Sequence, residues 1–317
     1  MERHGISLKG VFPPIPTPFD AQGDVACAAL AENLDRWNRY GVSGYVVLGS
    51  NGEAVFLTDE EKTRVWETAR QAIGPDRLMV AGTGCESTRH TIALSRRAVD
   101  AGADAVLVVT PHYYGGQMTP DALVAHFHAV AEGSPVPTLI YNMPRFTHID
   151  LDAPTVSRIA CHPNVVGIKD SGGNIGKLAQ IVDSTEDDFH VLAGSASFFL
   201  PALVVGAVGG VMALANIAPQ ALIDLHQLSE RGAWVEAAAL QRGLVASNSA
   251  VTSQFGIPGL KAALDLVGYY GGPVRPPLRP LTGAQVESLK QVLVRDGVLP
   301  LSVSTDSRAV GSRLGGR

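Results

Sequence analysis

The chain has 317 residues, 46% of them hydrophobic and only 6% aromatic, with a formal net charge of −5. That is enough apolar material for one large buried core, and an acidic chain without a basic stripe argues against a nucleic-acid partner. Its three cysteines, Cys27, Cys85 and Cys161, are odd in number and form no CxxC pair, which fits a reduced, cytoplasmic setting rather than a disulfide framework.

From the N-terminus onward, Pro13, Pro14, Pro16 and Pro18 break up any leader-like apolar segment. Short apolar runs then recur at Val11–Pro16, Tyr45–Leu48, Leu78–Ala81, Ala105–Val109, Thr138–Tyr141, Val165–Ile168, His190–Ala193 and Gly210–Ala213. Each is rich in Val, Ile, Leu or Ala and lacks polar alternation, as strands buried on both faces do. Helical patterns lie between them, among them Asp59–Ala72, Thr88–Ala101, Ala122–Ala131 and Asn174–Ser184. Thr58, Ser87, Thr119-Pro120 and Asp152 read as helix starts. Strand alternating with helix eight times predicts an α/β fold, a (β/α)8 TIM barrel spanning residues 1–218. Helices at Pro219–Glu230, Trp234–Ser247, Gly259–Val267 and Gly283–Arg295 follow, interrupted by the Gly271–Pro280 segment. They predict a C-terminal helical extension over 219–300, with a loosely ordered tail, rich in Ser, Gly and Arg, over 301–317. The longest nearly apolar stretch, Phe198–Ala215, is broken by glycines, so no membrane span is expected.

Barrel chemistry resides at the C-terminal ends of strands. Lys169 ends the run Val165-Val166-Gly167-Ile168, and of the six lysines it alone is embedded in a strand-like run. Burial disfavours the ammonium form, and a neutral amine adds to carbonyls. The competing reading is a structural ion pair with the adjacent Asp170. Tyr141, closing the preceding strand in Tyr141-Asn142-Met143-Pro144, is placed to carry a proton, or else to satisfy its hydroxyl on the backbone as core tyrosines do. The turn Gly49-Ser50-Asn51-Gly52-Glu53 offers small residues and successive N–H groups, a natural carboxylate cradle, or alternatively a plain βα turn with Glu53 in a helix cap. The loop Thr110–Gly116 holds Tyr113 and Tyr114, a site rim or subunit contact, or an ordinary surface loop. In Leu192-Ala193-Gly194-Ser195 the bare glycine either faces a ligand or merely ends a strand. His126 and His128 are spaced i,i+2 on a helix and so make a poor metal pair. The sequence has no HExxH, GxSxG or Walker lysine motif.

In this order and at these strand ends, the motifs resemble the dihydrodipicolinate synthase / N-acetylneuraminate lyase superfamily, from about Gly10 to Leu281. Within it the likeness is greatest to the 4-hydroxy-2-oxoglutarate aldolases, through Gly49–Glu53, Gly167–Gly173, Leu192–Ser195, Gly206–Asn216, Phe255–Lys261 and Gly268–Pro273. The resemblance implies a class I lyase in which Lys169 forms a Schiff base with a 2-oxo acid and Tyr141 is the acid/base. Ser50 would form a relay with Tyr113, the latter supplied to a neighbouring subunit. Ser50 and Asn51 would hold the substrate carboxylate, and Ser171, Gly194 and Arg145 would line the rest. It also implies a homo-oligomer, a dimer or a dimer of dimers, and chemistry without metal or cofactor, since the imine is the electron sink. The expected reaction is cleavage of a 4-hydroxy-2-oxo acid, such as 4-hydroxy-2-oxoglutarate, to pyruvate and glyoxylate. The alternatives are condensation of pyruvate with aspartate semialdehyde, a sugar-acid aldolase or dehydratase, and a non-catalytic 2-oxo-acid binder. Dihydrodipicolinate synthases usually carry two threonines where this chain has Ser50 and Asn51. They also place an arginine five residues after the catalytic tyrosine, where this chain has Phe146, with Arg145 one residue earlier.

Overall fold

The computed structural model describes residues 5–300, so the tail 301–317 lies outside the described residues. Nine strands form among them: β1 (Gly10–Phe12), β2 (Pro14–Ile15), β3 (Gly44–Val47), β4 (Leu78–Gly82), β5 (Ala105–Val109), β6 (Thr138–Asn142), β7 (Val165–Asp170), β8 (His190–Ala193) and β9 (Gly209–Val211). All ladders are parallel, in the order β1-β9-β8-β7-β6-β5-β4-β3-β2. The first apolar run is divided at Pro13, which has no N–H for a ladder. Its first half pairs with β9 and its second with β3, so this one run joins the two ends of the sheet and the barrel closes. The expected eight-stave barrel is what forms.

Alternate residues of the staves point inward. Phe12, Val46, Val80, Leu107, Leu139, Tyr141, Val166, Leu192 and Val211 pack together inside the barrel. Their neighbours, such as Val47, Ala81, Val106, Val108, Ile140 and Ile168, pack outward against the helices. The helices are α1 (Cys27–Trp37), α2 (Asp59–Ala72), α3 (Thr88–Asp100), α4 (Pro120–Gly133), α5 (Pro144–Thr147), α6 (Ala153–Ala160), α7 (Ile175–Asp183), α8 (Phe199–Val204), α9 (Pro219–Glu230), α10 (Trp234–Ser249), α11 (Gly256–Leu266) and α12 (Gly283–Arg295). Thr58, Ser87, Thr119 and Asp152 each cap a helix with a side-chain oxygen, as their residue types predict, and Thr58 forms a reciprocal capping box with Glu61. α9 packs on β1, α8 and α10. The gap between the two predicted helices 234–247 and 259–267 is itself helical: a five-residue π turn, Ala250–Gln254, joins α10 to α11. No helix of the described residues is long and apolar enough to cross a membrane.

Candidate active site

Strict alternation along β7 would send Val166, Ile168 and Asp170 to one face and Lys169 to the other. A register shift opposite Thr138 and Leu139 changes this, because Thr138 pairs with Val165 but Leu139 with Gly167. The extra residue puts Val166 inside and Ile168 outside, so Lys169 turns inward beside its register partners Tyr141 and Leu192. Only glycine fits at position 167, since a Cβ there would lie 2.4 Å from the His190 carbonyl oxygen. Lys169 is 4% exposed, and its Nζ stands 3.9 Å from the centroid of the Tyr141 ring.

The expected alternative, a Lys169–Asp170 pair, is not what forms. Adjacent strand residues face opposite sides, and Asp170, fully buried, points outward with Asn142. It accepts from Lys177 Nζ at 2.8 Å, Asn142 Nδ2 at 2.7 Å and the Gly172 amide at 2.8 Å. Lys177 and Asn142 also bind Asp150, and the Leu151 amide donates to Asn142 Oδ1. Every member of this network has partners, so it secures the ends of β6 and β7 from behind. Among the described residues no carboxylate pairs with Lys169.

After β3 the chain enters a single 3-10 turn, Ser50–Gly52, bracketed by two non-glycine residues in the left-handed region, Leu48 (φ 63°) and Glu53 (φ 53°). Such strain persists only where surroundings enforce it, often at functional sites. The leading amides of a helical turn have no carbonyl behind them; here they belong to Ser50 and Asn51, both lining the cleft. Ser50 Oγ is 3.3 Å from the Tyr141 hydroxyl. Glu53 does not cap a helix with its side chain; it is buried in an ion pair with Lys261.

These groups open onto a cleft of about 560 Å³ at the C-terminal mouth of the barrel. Ser171, Gly194 and Arg145 line it too. A Cβ at position 194 would strike Ser171 Oγ at 2.1 Å, so glycine is required there. Arg145 donates to the Ser253 carbonyl across the mouth. Tyr113 is not brought to the cleft within one chain. It is 77% exposed, stacked edge-on against Tyr114, in a loop held by amides of His112 and Tyr113 on Glu86.

The far wall, which the motifs had not revealed, comes from α10, the π turn and α11: Val245, Asn248, Ser249, Thr252, Ser253 and Ile257. A local signal existed. Ser247-Asn248-Ser249 and Thr252-Ser253 are poor helix formers inside a helix, and π turns gather at functional sites. Two buried polar atoms of the cleft, Ser171 Oγ and Asn248 Oδ1, have no hydrogen-bond partner among the described residues. Among the described residues the lining carries two basic side chains, Lys169 and Arg145, and no Asp or Glu. A small anion with further polar groups fits that field.

A family model for the dihydrodipicolinate synthetase family matches residues 7–295. A 4-hydroxy-tetrahydrodipicolinate synthase of Methanothrix thermoacetophila is 35% identical over 289 residues, covering 91% of this chain and 97% of that protein. A probable mitochondrial 4-hydroxy-2-oxoglutarate aldolase of Emericella nidulans is 36% identical over 289 residues, covering 90% of this chain and 93% of its own length. Among solved structures, a chloride-inhibited dihydrodipicolinate synthase of Acinetobacter baumannii in complex with pyruvate superposes with a TM-score of 0.88. It shares 30% identity and covers 92% of this chain and 100% of its own.

Proposed function

The chain belongs to the dihydrodipicolinate synthetase family and is an enzyme; from that premise we propose that it is a Schiff-base lyase cleaving a 4-hydroxy-2-oxo acid, with 4-hydroxy-2-oxoglutarate as the favoured substrate. One observation carries the reading: Lys169 is buried without a carboxylate partner, packed on the ring of a tyrosine whose hydroxyl meets Ser50, in an anion-favouring cleft.

In this mechanism the Ser50 and Asn51 amides hold the C1 carboxylate at the end of the 3-10 turn. The neutral Lys169 amine adds to C2, and the carbinolamine hydroxyl leaves as water with the proton of the Tyr141 phenol, so that a protonated imine forms beside a phenolate. Tyr141 takes the proton of the C4 hydroxyl. The C3–C4 electron pair moves into the imine, and an aldehyde departs, glyoxylate in the favoured case. The enamine is reprotonated at C3, and water adds to the resulting imine to free pyruvate and the amine. Ser50 relays protons to Tyr141, with Tyr113 of a neighbouring copy completing the relay in a homo-oligomer. Ser171 and Asn248 give their unused polar atoms to the acceptor half, and Arg145 guards its distal end.

A second reading is condensation of the same enamine with aspartate semialdehyde, favoured by the name of the Methanothrix relative. Phe146, where those synthases carry an arginine, speaks against it. Borohydride reduction with pyruvate, followed by peptide mass spectrometry, tests the chemistry: the adduct is expected on Lys169. Product analysis then separates the readings, with pyruvate and glyoxylate released from 4-hydroxy-2-oxoglutarate as the expected outcome. Folded protein that gives no adduct at any pyruvate concentration sinks both.

A further inference from the structure

Behind the Ser50–Asn51 turn lies a second charged assembly that the chemistry above does not use. Glu53 and Lys261 are each 1% exposed, and Lys261 Nζ lies 2.6 Å from Glu53 Oε1. Glu53 Oε2 accepts the Arg275 amide at 2.9 Å, and Lys261 Nζ also donates to the Pro273 carbonyl at 2.8 Å. The ammonium stands 4.3 Å from the centroid of the Phe19 ring. The Arg275 guanidinium holds Glu61 with two 2.7 Å bonds, fixing the same C-terminal segment to the start of α2.

The position of this assembly gives it meaning. Glu53 is two residues beyond Asn51 and in the left-handed region, a conformation its neighbours must impose. Thr17 Oγ1 pins the intervening Gly52 carbonyl at 2.6 Å, so the turn is held on both sides. Lys261 follows Gly256 and Ile257 on α11 by about one helical turn, and both of those residues wall the far end of the cleft. Burial drives the Lys261 pKa below its ordinary value, and the Glu53 carboxylate opposes that shift. The ammonium therefore leans chiefly on Glu53 for its place in the core, with Asp265 acting in the same direction.

We propose that the Glu53–Lys261 pair is a positioning device that sets the Ser50–Asn51 amides against α11, so that the carboxylate end and the acceptor end of the cleft keep a fixed separation. The proposal rests on the 2-oxo-acid reading above. Neither residue reaches the cleft; both act through the turn and the helix they hold.

A merely structural pair can be exchanged for uncharged side chains of similar volume with stability kept. The test is therefore Glu53→Gln/Lys261→Met, read by melting temperature and by the pyruvate concentration giving half-maximal borohydride trapping on Lys169. The expected result is a folded variant whose half-saturating pyruvate rises tenfold or more while trapping at saturation still runs to completion. Wild-type half-saturation in a folded double variant overturns the proposal and leaves the pair as a stability element. If the double variant does not fold, Lys261→Arg decides. It keeps the charge but replaces a point ammonium with a wider fork, and a rise below threefold overturns the proposal. Trapping in the unmodified protein is the control that separates this failure from failure of the 2-oxo-acid reading, which would show as no adduct at all.

Discussion

Lys169 and Lys177 lie on either side of the same strand ends and are almost equally buried, at 4% and 7% exposure. Lys177 faces outward between the carboxylates of Asp150 and Asp170, whereas Lys169 faces the cleft with an aromatic ring and, among the described residues, no acid paired with it. Burial is common to both, so burial alone does not single out the proposed nucleophile. The difference is the partner: a lysine locked between two acids is engaged in ion pairs, while one left against a ring in an open cleft is free to meet a ligand.

The sharpest way to break this comparison is to remove each lysine in turn. Lys169→Ala should lower kcat by ~10⁴-fold or more while melting within a few degrees of the parent, measured by pyruvate release and by calorimetry. Lys177→Met should do the reverse. It strands the buried Asp170 carboxylate and should cost about 3–5 kcal/mol of stability in urea unfolding. Borohydride adducts of any Lys177→Met protein that folds should still form on Lys169. If Lys169→Ala unfolds the chain while Lys177→Met only slows it, the two roles are exchanged.

His126 extends the contrast to a buried base. Thr88 binds its Nδ1, its Nε2 has no partner among the described residues, and burial lowers its pKa to about 4. The unfolded chain takes up that proton near 6.5, so the contribution is intact above pH 6.5 and fades as pH falls towards 4. The full loss is about 3 kcal/mol. Urea midpoints at pH 7 and pH 4.5 should show the fall, and His126→Gln should flatten it. The smallest effect is expected at the cleft's edge. Tyr113→Phe should lower kcat about tenfold only where copies associate, and activity per chain of the parent should drop on dilution. Activity independent of both would leave Tyr113 a surface residue.

Much of this was legible in the sequence, and for local reasons. Fully apolar runs reported the staves, capping oxygens reported the starts of α2, α3, α4 and α6, and Lys169 and Tyr141 stood out because they end such runs. α1 escaped notice because Ala26 precedes it and no side chain caps it. The division of the first stave at Pro13 depends on which neighbours compete for its ladder, and the Glu53–Lys261 pair joins residues far apart in the chain. Neither leaves a local mark. The pairing of Asp170 was misjudged as one possibility because adjacency in sequence is opposition in a strand.

The irregularity in β7 carries one more consequence. Val166 and Lys169 share the barrel interior although they are three apart, an odd spacing that only the extra residue makes possible. Which side of the sheet the Lys169 amine faces is thus set by a parity. Deleting Val166 would restore strict alternation from Val165 and leave Lys169 inward opposite Tyr141, whereas one residue inserted between Gly167 and Lys169 would send Asp170 inside and carry the amine out to the helices. Substitution at Lys169 removes a group, whereas such an insertion would invert the end of the stave at once. Insertions just ahead of Lys169 therefore bear on the proposed chemistry as heavily as the lysine codon itself.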